Sequence, residues 1–216
     1  MSLILHAHPL SSYCWKVLIA LYEKELDFEL RLVNLGDPED RAAFAALWPL
    51  AKMPVLEDPA RAAIVPETSI IIDYLDVHHP GAIRLIPEEA DAARGVRLWD
   101  RIFDLHVQTP MQRIIADRLR PPDAKDAYGV AEARASLAIA LATVEREVAG
   151  RKWACGEAFT LADCAAAPAL FYADKVMPFG AEHPAAAGLL ERLKARPSFA
   201  RVLAEAEPWF QYFPAE

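Results

Sequence analysis

The first third of the chain alternates short apolar segments with segments of helical spacing. Residues 3–7 are apolar, which is typical of a buried strand, and after a turn at Pro9 the apolar residues recur every three or four positions. Residues 28–33 alternate apolar and polar side chains as a strand does, and residues 38–47 have the spacing of a short helix. The pattern therefore predicts the order β-α-β-α for this part of the chain.

Two further strands and a helix complete this first unit. Pro54-Val-Leu-Glu is too brief for a helix, and residues 62–65 form another short apolar segment. Helical spacing then resumes over residues 67–77. The whole unit is predicted to be an α/β domain of order βαβαββα.

The remainder of the chain has the pattern of an all-helical bundle. One helix face is marked by apolar residues three or four positions apart, at Val130, Ala133, Leu137, Leu141, Val144 and Val148. A first long helix is predicted over about residues 88–119, and Pro110 within it should bend it by removing one backbone donor. Thr160 and Asp163 have the spacing of a helix-capping box.

The change of pattern near residue 78 indicates two domains. The stretch 78–87 contains two prolines and one glycine, and no strand pattern follows it. We expect a first domain over residues 1–78, a linker over 79–87 and a second domain over 88–216.

Composition and charge narrow the classes of partner. The 216 residues are 54% hydrophobic and 25% charged, which is typical of a globular protein, and the formal net charge is −8. An acidic chain does not suit nucleic acid or an anionic membrane, so a small molecule is the expected partner. No run of 18 apolar residues and no basic N-terminal flank occur, and the three cysteines contain no C-x-x-C pair. These features predict a soluble, cytoplasmic protein.

Five short motifs follow one another along essentially the whole chain. They are Ser11-Ser-Tyr-Cys-Trp-Lys-Val17, Lys52-Met-Pro-Val-Leu56, Glu67-Thr-Ser-Ile-Ile-Ile-Asp-Tyr-Leu75, Thr160-Leu-Ala-Asp163 and Arg196-Pro-Ser-Phe199. Each is weak alone, but their order and spacing resemble the cytosolic glutathione S-transferase family, with the serine-type opening of its bacterial, zeta, theta and phi-like branches. The resemblance implies a thioredoxin-like domain that binds glutathione, an all-helical domain that forms the electrophile pocket, and a homodimer with a role in detoxification.

Ser11 stands where glutaredoxin-like proteins carry the attacking cysteine of Cys-Pro-Tyr-Cys. A thiol with a pKa near 8.5 needs a shift of about 2 units, or roughly 2.7 kcal/mol, to ionise near neutral pH. One hydrogen bond to a charged acceptor supplies about 1.5–3 kcal/mol. The resemblance therefore implies Ser11 as the donor that activates glutathione, with Ser12 as the alternative if the turn differs by one residue. Either serine could instead only cap the helix.

The two residues that follow have simpler interpretations. Cys14 occupies the resolving position of the glutaredoxin motif and is expected to be a structural thiol, as are Cys155 and Cys164. Tyr13 could donate a phenolic hydrogen bond, although its place in the first turn resembles the serine type.

The resemblance also assigns residues to the tripeptide. Glu67 suits the γ-glutamyl ammonium, and the hydroxyl of Thr68 with the amides of its helix terminus suits the γ-glutamyl carboxylate. Met53, before a cis Pro54, would bind the cysteinyl portion with its backbone. Lys52 could pair with the glycine carboxylate, although the preceding Trp48-Pro-Leu-Ala51 departs from the family's Asn-Pro-x-Gly. Without the resemblance, Glu67 and Thr68 would be a first-turn anion and a cap.

The second substrate is expected against the bent helix, in an apolar cleft with few polar groups. The candidates are Trp99, Phe103, His106, Gln108, Met111 and Gln112. No metal is expected, because His6 and His8 share one strand face but lack a third ligand nearby.

The sequence leaves three functions open. Conjugation of the glutathione thiolate to small hydrophobic electrophiles is the first. Glutathione-dependent cis-trans isomerisation is the second, since the opening resembles the Ser-Ser-Cys-Ser-Trp-Arg of maleylacetoacetate isomerases, from which Tyr13 and Cys14 depart. A non-catalytic interaction module built on the same fold is the third.

Overall fold

The computed structural model describes residues 2–214, and its first part is built on a four-stranded sheet of order β2-β1-β3-β4. The strands are β1 (Leu3–Ala7), β2 (Phe28–Leu32), β3 (Val55–Asp58) and β4 (Ala63–Pro66). Strand β1 is parallel to β2 and antiparallel to β3, which is antiparallel to β4. The sheet is therefore mixed, with β2 and β4 at its edges.

Three helices alternate with the strands in this part of the chain, and local residues explain where the second helix begins. They are α1 (Ser12–Glu23), α2 (Pro38–Leu47) and α3 (Thr68–His78). The side chain of Asp37 accepts the amides of Glu39 and Asp40 at the start of α2, where a proline occupies the first helical turn. The predicted order βαβαββα is confirmed.

The second part of the chain is helical, as predicted. Its helices are α4 (Ala90–Ile102), α5 (Thr109–Arg118), α6 (Ala127–Val148), α7 (Leu161–Val176), α8 (Pro184–Lys194) and α9 (Pro197–Ala206). Short 3-10 helices lie at Pro122–Ala124 and Glu207–Tyr212. Helix α7 is buried along most of its length and contacts α1, α4 and α8. The two parts therefore share one continuous core.

The prediction of a single long helix over residues 88–119 is wrong, because the segment is interrupted. A π-helical turn, Phe103–Gln108, separates α4 from α5. Pro110 has no N–H to donate, and just before it the amide of Thr109 bonds the carbonyl of Asp104, five residues back. The wider turn changes the angular register, so side chains before and after it do not continue along one helix face.

Two buried carboxylates fix loops in this core. Asp163 accepts the amide of Thr160 at 2.9 Å and that of Ala154 at 2.7 Å, so the predicted capping box is confirmed. Asp76 pairs with Lys24 at 2.9 Å and accepts the amides of residues 85 and 86. The segment between the two parts is thus anchored to α3.

Among the described helices, α6 alone is long and apolar enough, by length and composition, to cross a membrane. Helices in the cores of soluble proteins pass the same test. The inward face of α6 packs into the core through the apolar positions that the sequence pattern marked.

Candidate functional site

The strand register brings three loops to one end of the sheet. His6 is opposite Val55 in the β1–β3 ladder, and Val55 is opposite Pro66 in the β3–β4 ladder. The loop after β1, the loop before β3 and the start of α3 therefore leave the sheet at the same end. These loops carry the predicted serine, cis-proline and Glu67–Thr68 motifs.

Ser11 is the N-cap of α1, and its hydroxyl is placed to do more than cap. Its Oγ accepts the amide of Cys14 at 3.3 Å, which satisfies one of the free donors of the first turn. A hydroxyl that accepts in this way keeps its own proton free to donate. Ser11 is half-buried and lines a cavity between the two parts of the chain. Capping and donation are thus compatible at this residue.

Ser12, the first residue of α1, is more deeply buried than Ser11. Its Oγ receives a hydrogen bond of 3.4 Å from the side-chain amide of Gln112 on α5. Ser12 lines the same cavity. The two serines therefore differ in their partners, since Ser11 caps its own helix and Ser12 is held by the helical part.

Tyr13 and Cys14 are placed away from this role. The Tyr13 hydroxyl donates to the carbonyl of Asp104 at 3.4 Å, and burial with the nearby Asp104 charge raises the pKa of the phenol. Cys14 is fully buried, and burial raises the pKa of its thiol to about 11. Neither group ionises near neutral pH.

The cis-proline loop and the start of α3 have the expected backbone geometry. The Met53–Pro54 peptide is cis, and the side chain of Lys52 is exposed. Glu67 has a φ of 67°, which non-glycine residues adopt rarely and mostly where the surroundings impose it. Its side chain does not cap α3, whose first residue, Thr68, is buried. The first-turn amides of α3 consequently lack a side-chain cap.

The cavity beside the two serines has a volume of about 400 Å³. Most of its wall is apolar, from Met111, Ile115, Leu119, Tyr172, Tyr212 and Phe213. The hydroxyl of Tyr172 donates to the carbonyl of Leu10 at 3.0 Å, which fixes the ring at the floor between α7 and the serine loop. The arrangement presents two hydroxyls to an apolar space.

Only part of the predicted second-substrate set lies at this cavity. Met111 and Gln112 line it, whereas Trp99 and Phe103 are buried in the core and His106 is exposed. The π-helical turn lies between Trp99 on α4 and Met111 on α5. Residues 212–214, which the sequence analysis did not predict, complete the wall of the cavity. The sequence feature that could have indicated these residues is the aromatic run Trp209-Phe-Gln-Tyr-Phe213.

A buried charge cluster joins α1 to the start of α3 and to α4. The Lys16 ammonium is fully buried and lies 2.5 Å from Asp100 and 2.8 Å from Asp104. It also donates to Ser69 at 3.1 Å, next to Thr68, while Arg101 pairs with both carboxylates. Burial raises the pKa of Asp104 despite its cationic neighbours. The cluster fixes α1 against the start of α3.

No group of three or more metal-ligating side chains occurs within residues 2–214. His6 instead lies 3.2 Å from Glu57 across the β1–β3 pair. His8 accepts the amide of Leu10 through Nδ1 and lies against Trp209.

The mixed sheet, the cis-proline loop and the helical second part define a two-domain protein of the thioredoxin-like class. The family model for the glutathione S-transferase N-terminal domain matches residues 5–82, and that for its C-terminal domain matches residues 104–197. The chain belongs to the glutathione S-transferase family.

Known proteins agree with this assignment over nearly the whole chain. A glutathione S-transferase from Methylobacterium radiotolerans, solved with glutathione sulfonate, is 32% identical and superimposes with a TM-score of 0.83 over 94% of each chain. One from Methylobacillus flagellatus, solved with glutathione, is 28% identical with a TM-score of 0.86, over 93% of this chain and 98% of that one. A probable maleylacetoacetate isomerase from Vibrio cholerae is 29% identical, over 96% of this chain and 98% of its own.

Proposed function

We propose that this protein is a glutathione transferase in which the Ser11 hydroxyl stabilises the glutathione thiolate for attack on a small hydrophobic electrophile. The observation that carries the proposal is the capping geometry of Ser11. Because its Oγ accepts the Cys14 amide, its proton is left to donate into the cavity. Glutathione enters as a co-substrate, and its sulfur becomes bonded to the electrophile.

The hydrogen bond from Ser11 and the dipole of α1 supply enough free energy to stabilise the thiolate. A hydrogen bond to a thiolate contributes about 1.5–3 kcal/mol, and the N-terminus of α1 adds about 0.3–1 kcal/mol through its dipole. Together they cover the roughly 2.7 kcal/mol needed to lower a thiol pKa by about 2 units. Ser12, held by Gln112, orients the first turn without being the principal donor.

The tripeptide would extend from Ser11 along the edge of the sheet. The Glu67 carboxylate takes the γ-glutamyl ammonium, and Thr68 with the uncapped amides of α3 takes the γ-glutamyl carboxylate. The backbone of Met53, before cis Pro54, pairs with the cysteinyl residue. The exposed Lys52 binds the glycine carboxylate.

The electrophile would occupy the cavity of about 400 Å³, whose size lies within the usual range for small-molecule sites. Its apolar wall, which includes Met111 and Ile115, favours a substrate without charge. We propose residues 1–78 as the glutathione-binding domain and 88–216 as the electrophile domain, joined by the linker 79–87. A cytoplasmic role in detoxification follows from the same proposal.

Homodimerisation is part of the proposal, and exposed apolar side chains on α3 and α4 support it. Ile70 and Val77, seven residues apart on α3, are 58% and 59% exposed, and Leu98 on α4 is 56% exposed. The exposed Asp73–Arg97 ion pair of 3.3 Å links these two helices at the same surface. Sedimentation of the Ile70→Glu variant tests the interface. A monomer is expected, whereas an unchanged dimer would place the interface elsewhere.

Calorimetric titration with glutathione tests the central proposal when it is paired with the ultraviolet absorbance of the thiolate near neutral pH. Wild-type protein is expected to bind glutathione and to show the thiolate signal, and Ser11→Ala is expected to bind but to lose the signal. Binding without a signal in the wild type would exclude Ser11 as activator. Absence of binding would favour the non-catalytic module.

Isomerisation is the second candidate, supported by the similarity to the probable maleylacetoacetate isomerase over 215 residues. The same glutathione thiolate would add to a cis-dienone and leave again after bond rotation. A product of unchanged mass from such a substrate would favour isomerisation. A product heavier by one glutathione would favour conjugation.

A further inference from the structure

Helix α6 carries a row of residues on the side that faces away from the core. These residues follow one another at alternating steps of four and three positions, which places them along one face of the helix. They are Tyr128, Glu132, Ala135, Ile139, Ala142 and Arg146, and we call them the outer row of α6. We propose that the outer row is a self-association surface, against which the same helix of a second copy of this chain packs in antiparallel orientation.

The outer row is exposed although its central side chains are apolar. Tyr128 is 77% exposed and Ile139 is 71% exposed, and the two alanines of the row are exposed as well. The hydroxyl of Thr143, beside the row, donates to the carbonyl of Ile139 at 2.9 Å, so it is satisfied within its own helix. No other described element covers Tyr128 or Ile139.

The spacing of the outer row suits a second helix. Steps of four and three positions average 3.5 residues, which is the repeat that keeps one face of a helix against a partner helix along its whole length. The row spans 18 residue steps from Tyr128 to Arg146, or about 27 Å. Ala135 and Ala142 stand on either side of Ile139 and have small side chains, so a second helix can approach closely there.

The charges of the outer row are complementary to themselves. Glu132 lies seven positions before Ile139 and Arg146 lies seven positions after it. When two copies are related by a two-fold axis at Ile139, Glu132 of each copy lies beside Arg146 of the other. Neither side chain takes part in an ion pair within residues 2–214, so both charges are available for such a contact. The antiparallel pair therefore forms two new ion pairs.

The same charges disfavour other arrangements. A parallel pair would set Glu132 against Glu132 and Arg146 against Arg146, and like charges at an interface oppose association. A lipid bilayer would take up Ile139 and Tyr128, but it supplies no cation for the carboxylate of Glu132. A second antiparallel copy satisfies the apolar residues and both charges together.

This contact is separate from the one proposed for α3 and α4. Helix α6 packs against α5 and α8, whereas Ile70 and Leu98 belong to the other two helices. A homodimer formed through α3 and α4 would therefore associate further through α6. One helix face is a small interface, so the contact is expected to form only in concentrated protein and to be absent at the dilution of a kinetic assay.

Sedimentation of the full chain over a range of protein concentrations, at low salt, tests the proposal. The average mass of the wild type is expected to rise about twofold from the most dilute to the most concentrated sample. Glu132→Arg sets like charges against each other and should abolish this rise, and Arg146→Glu should do the same. The matched variant Asp27→Arg reverses an exposed carboxylate in the loop before β2 and should behave as wild type.

A mixture of Glu132→Arg and Arg146→Glu provides the most specific result. Each variant repels a copy of itself, but a mixed pair joins opposite charges at both contacts. The rise in mass should therefore return when the two variants are combined, which also shows that both are folded. Ile139→Asp places two carboxylates at the centre of the pair and should not associate at any concentration.

Four outcomes would overturn the proposal. The first is no rise in the mass of the wild type, and the second is a rise that the α6 variants leave unchanged and only Ile70→Glu removes. The third is a mixture of Glu132→Arg and Arg146→Glu that does not associate. The fourth is cosedimentation of the wild type with phosphatidylcholine vesicles that Ile139→Asp abolishes, which would assign the outer row to a membrane.

Discussion

The hydroxyl of Ser11 accepts the backbone amide of Cys14 at 3.3 Å, so the side chain that begins helix α1 also lines the cavity beside it. The cap fixes the position of Oγ, because the amide that it accepts belongs to the rigid first turn. In the proposed role, a donor fixed in this way needs little reorganisation when a thiolate arrives.

Ser11→Ala should lower kcat by about 10- to 100-fold, the equivalent of losing one hydrogen bond to a charged acceptor. The KM for glutathione should change little, since Glu67, Thr68 and Met53 remain. Steady-state kinetics with a small aromatic electrophile provide the measurement. Ser11→Thr keeps the hydroxyl and should retain most activity, and Ser12→Ala should cost less than Ser11→Ala. Full activity in Ser11→Ala with a large loss in Ser12→Ala would reverse the two roles.

Ile115→Gln should raise the KM for an apolar electrophile by about tenfold, because a polar amide replaces apolar surface in the cavity wall. Glutathione affinity should stay the same, since Ile115 lies on the electrophile side. Kinetics with the electrophile varied at saturating glutathione give the KM. Ile139→Gln, an exposed position on α6, is the matched control and should behave as wild type. Equal effects of both substitutions would argue against the cavity as the substrate site.

Lys16→Met should destabilise the fold by about 3–5 kcal/mol, because it leaves two buried carboxylates without their shared cation. Urea unfolding at pH 7 measures the free energy of unfolding. Lys194→Met removes a half-buried lysine paired with the exposed Glu191 and should change the free energy of unfolding by less than about 1 kcal/mol. The triple variant Lys16→Met/Asp100→Asn/Asp104→Asn should recover part of the loss. A loss in Lys16→Met as small as that in Lys194→Met would show that Arg101 alone compensates the carboxylates.

Asp163 should make the stability depend on pH. Burial raises the pKa of its carboxyl from 3.8 to about 6 in the folded state. Between these two pH values the folded state binds more protons than the unfolded state, so the free energy of unfolding falls as pH rises, by about 3 kcal/mol in total. Asp163→Asn removes this ionisation. The stability of the variant relative to wild type should therefore rise by that amount between pH 4 and pH 7.

Urea unfolding of both proteins across this pH range provides the test for Asp163. Its hydrogen bonds to Thr160 and Ala154 are partly lost in the variant at every pH, so the absolute difference is not diagnostic. The diagnostic quantity is how the difference between the two free energies of unfolding changes with pH. A constant difference across the range would contradict the raised pKa.

Much of the fold was predictable because its signals are local. The strand and helix order followed from apolar periods of two and of three to four residues. Thr160 before α7 marked a helix start, because its side chain bonds an amide three positions away. The serine, cis-proline and Glu67–Thr68 motifs could be recognised in the sequence because each consists of adjacent residues. The register then placed them at one end of the sheet.

The sequence by itself determined the order of elements, the helix caps and the short motifs, since each depends on residues within a few positions of one another. Only the tertiary structure decided that Gln112 holds Ser12 from 100 positions away, that Lys16 is buried between Asp100 and Asp104, and that residues 212–214 close the cavity. It also placed Trp99 and Phe103 in the core and introduced a π-helical turn that helical periodicity does not contain. Contacts between distant residues depend on how whole elements pack, and no local period encodes that packing.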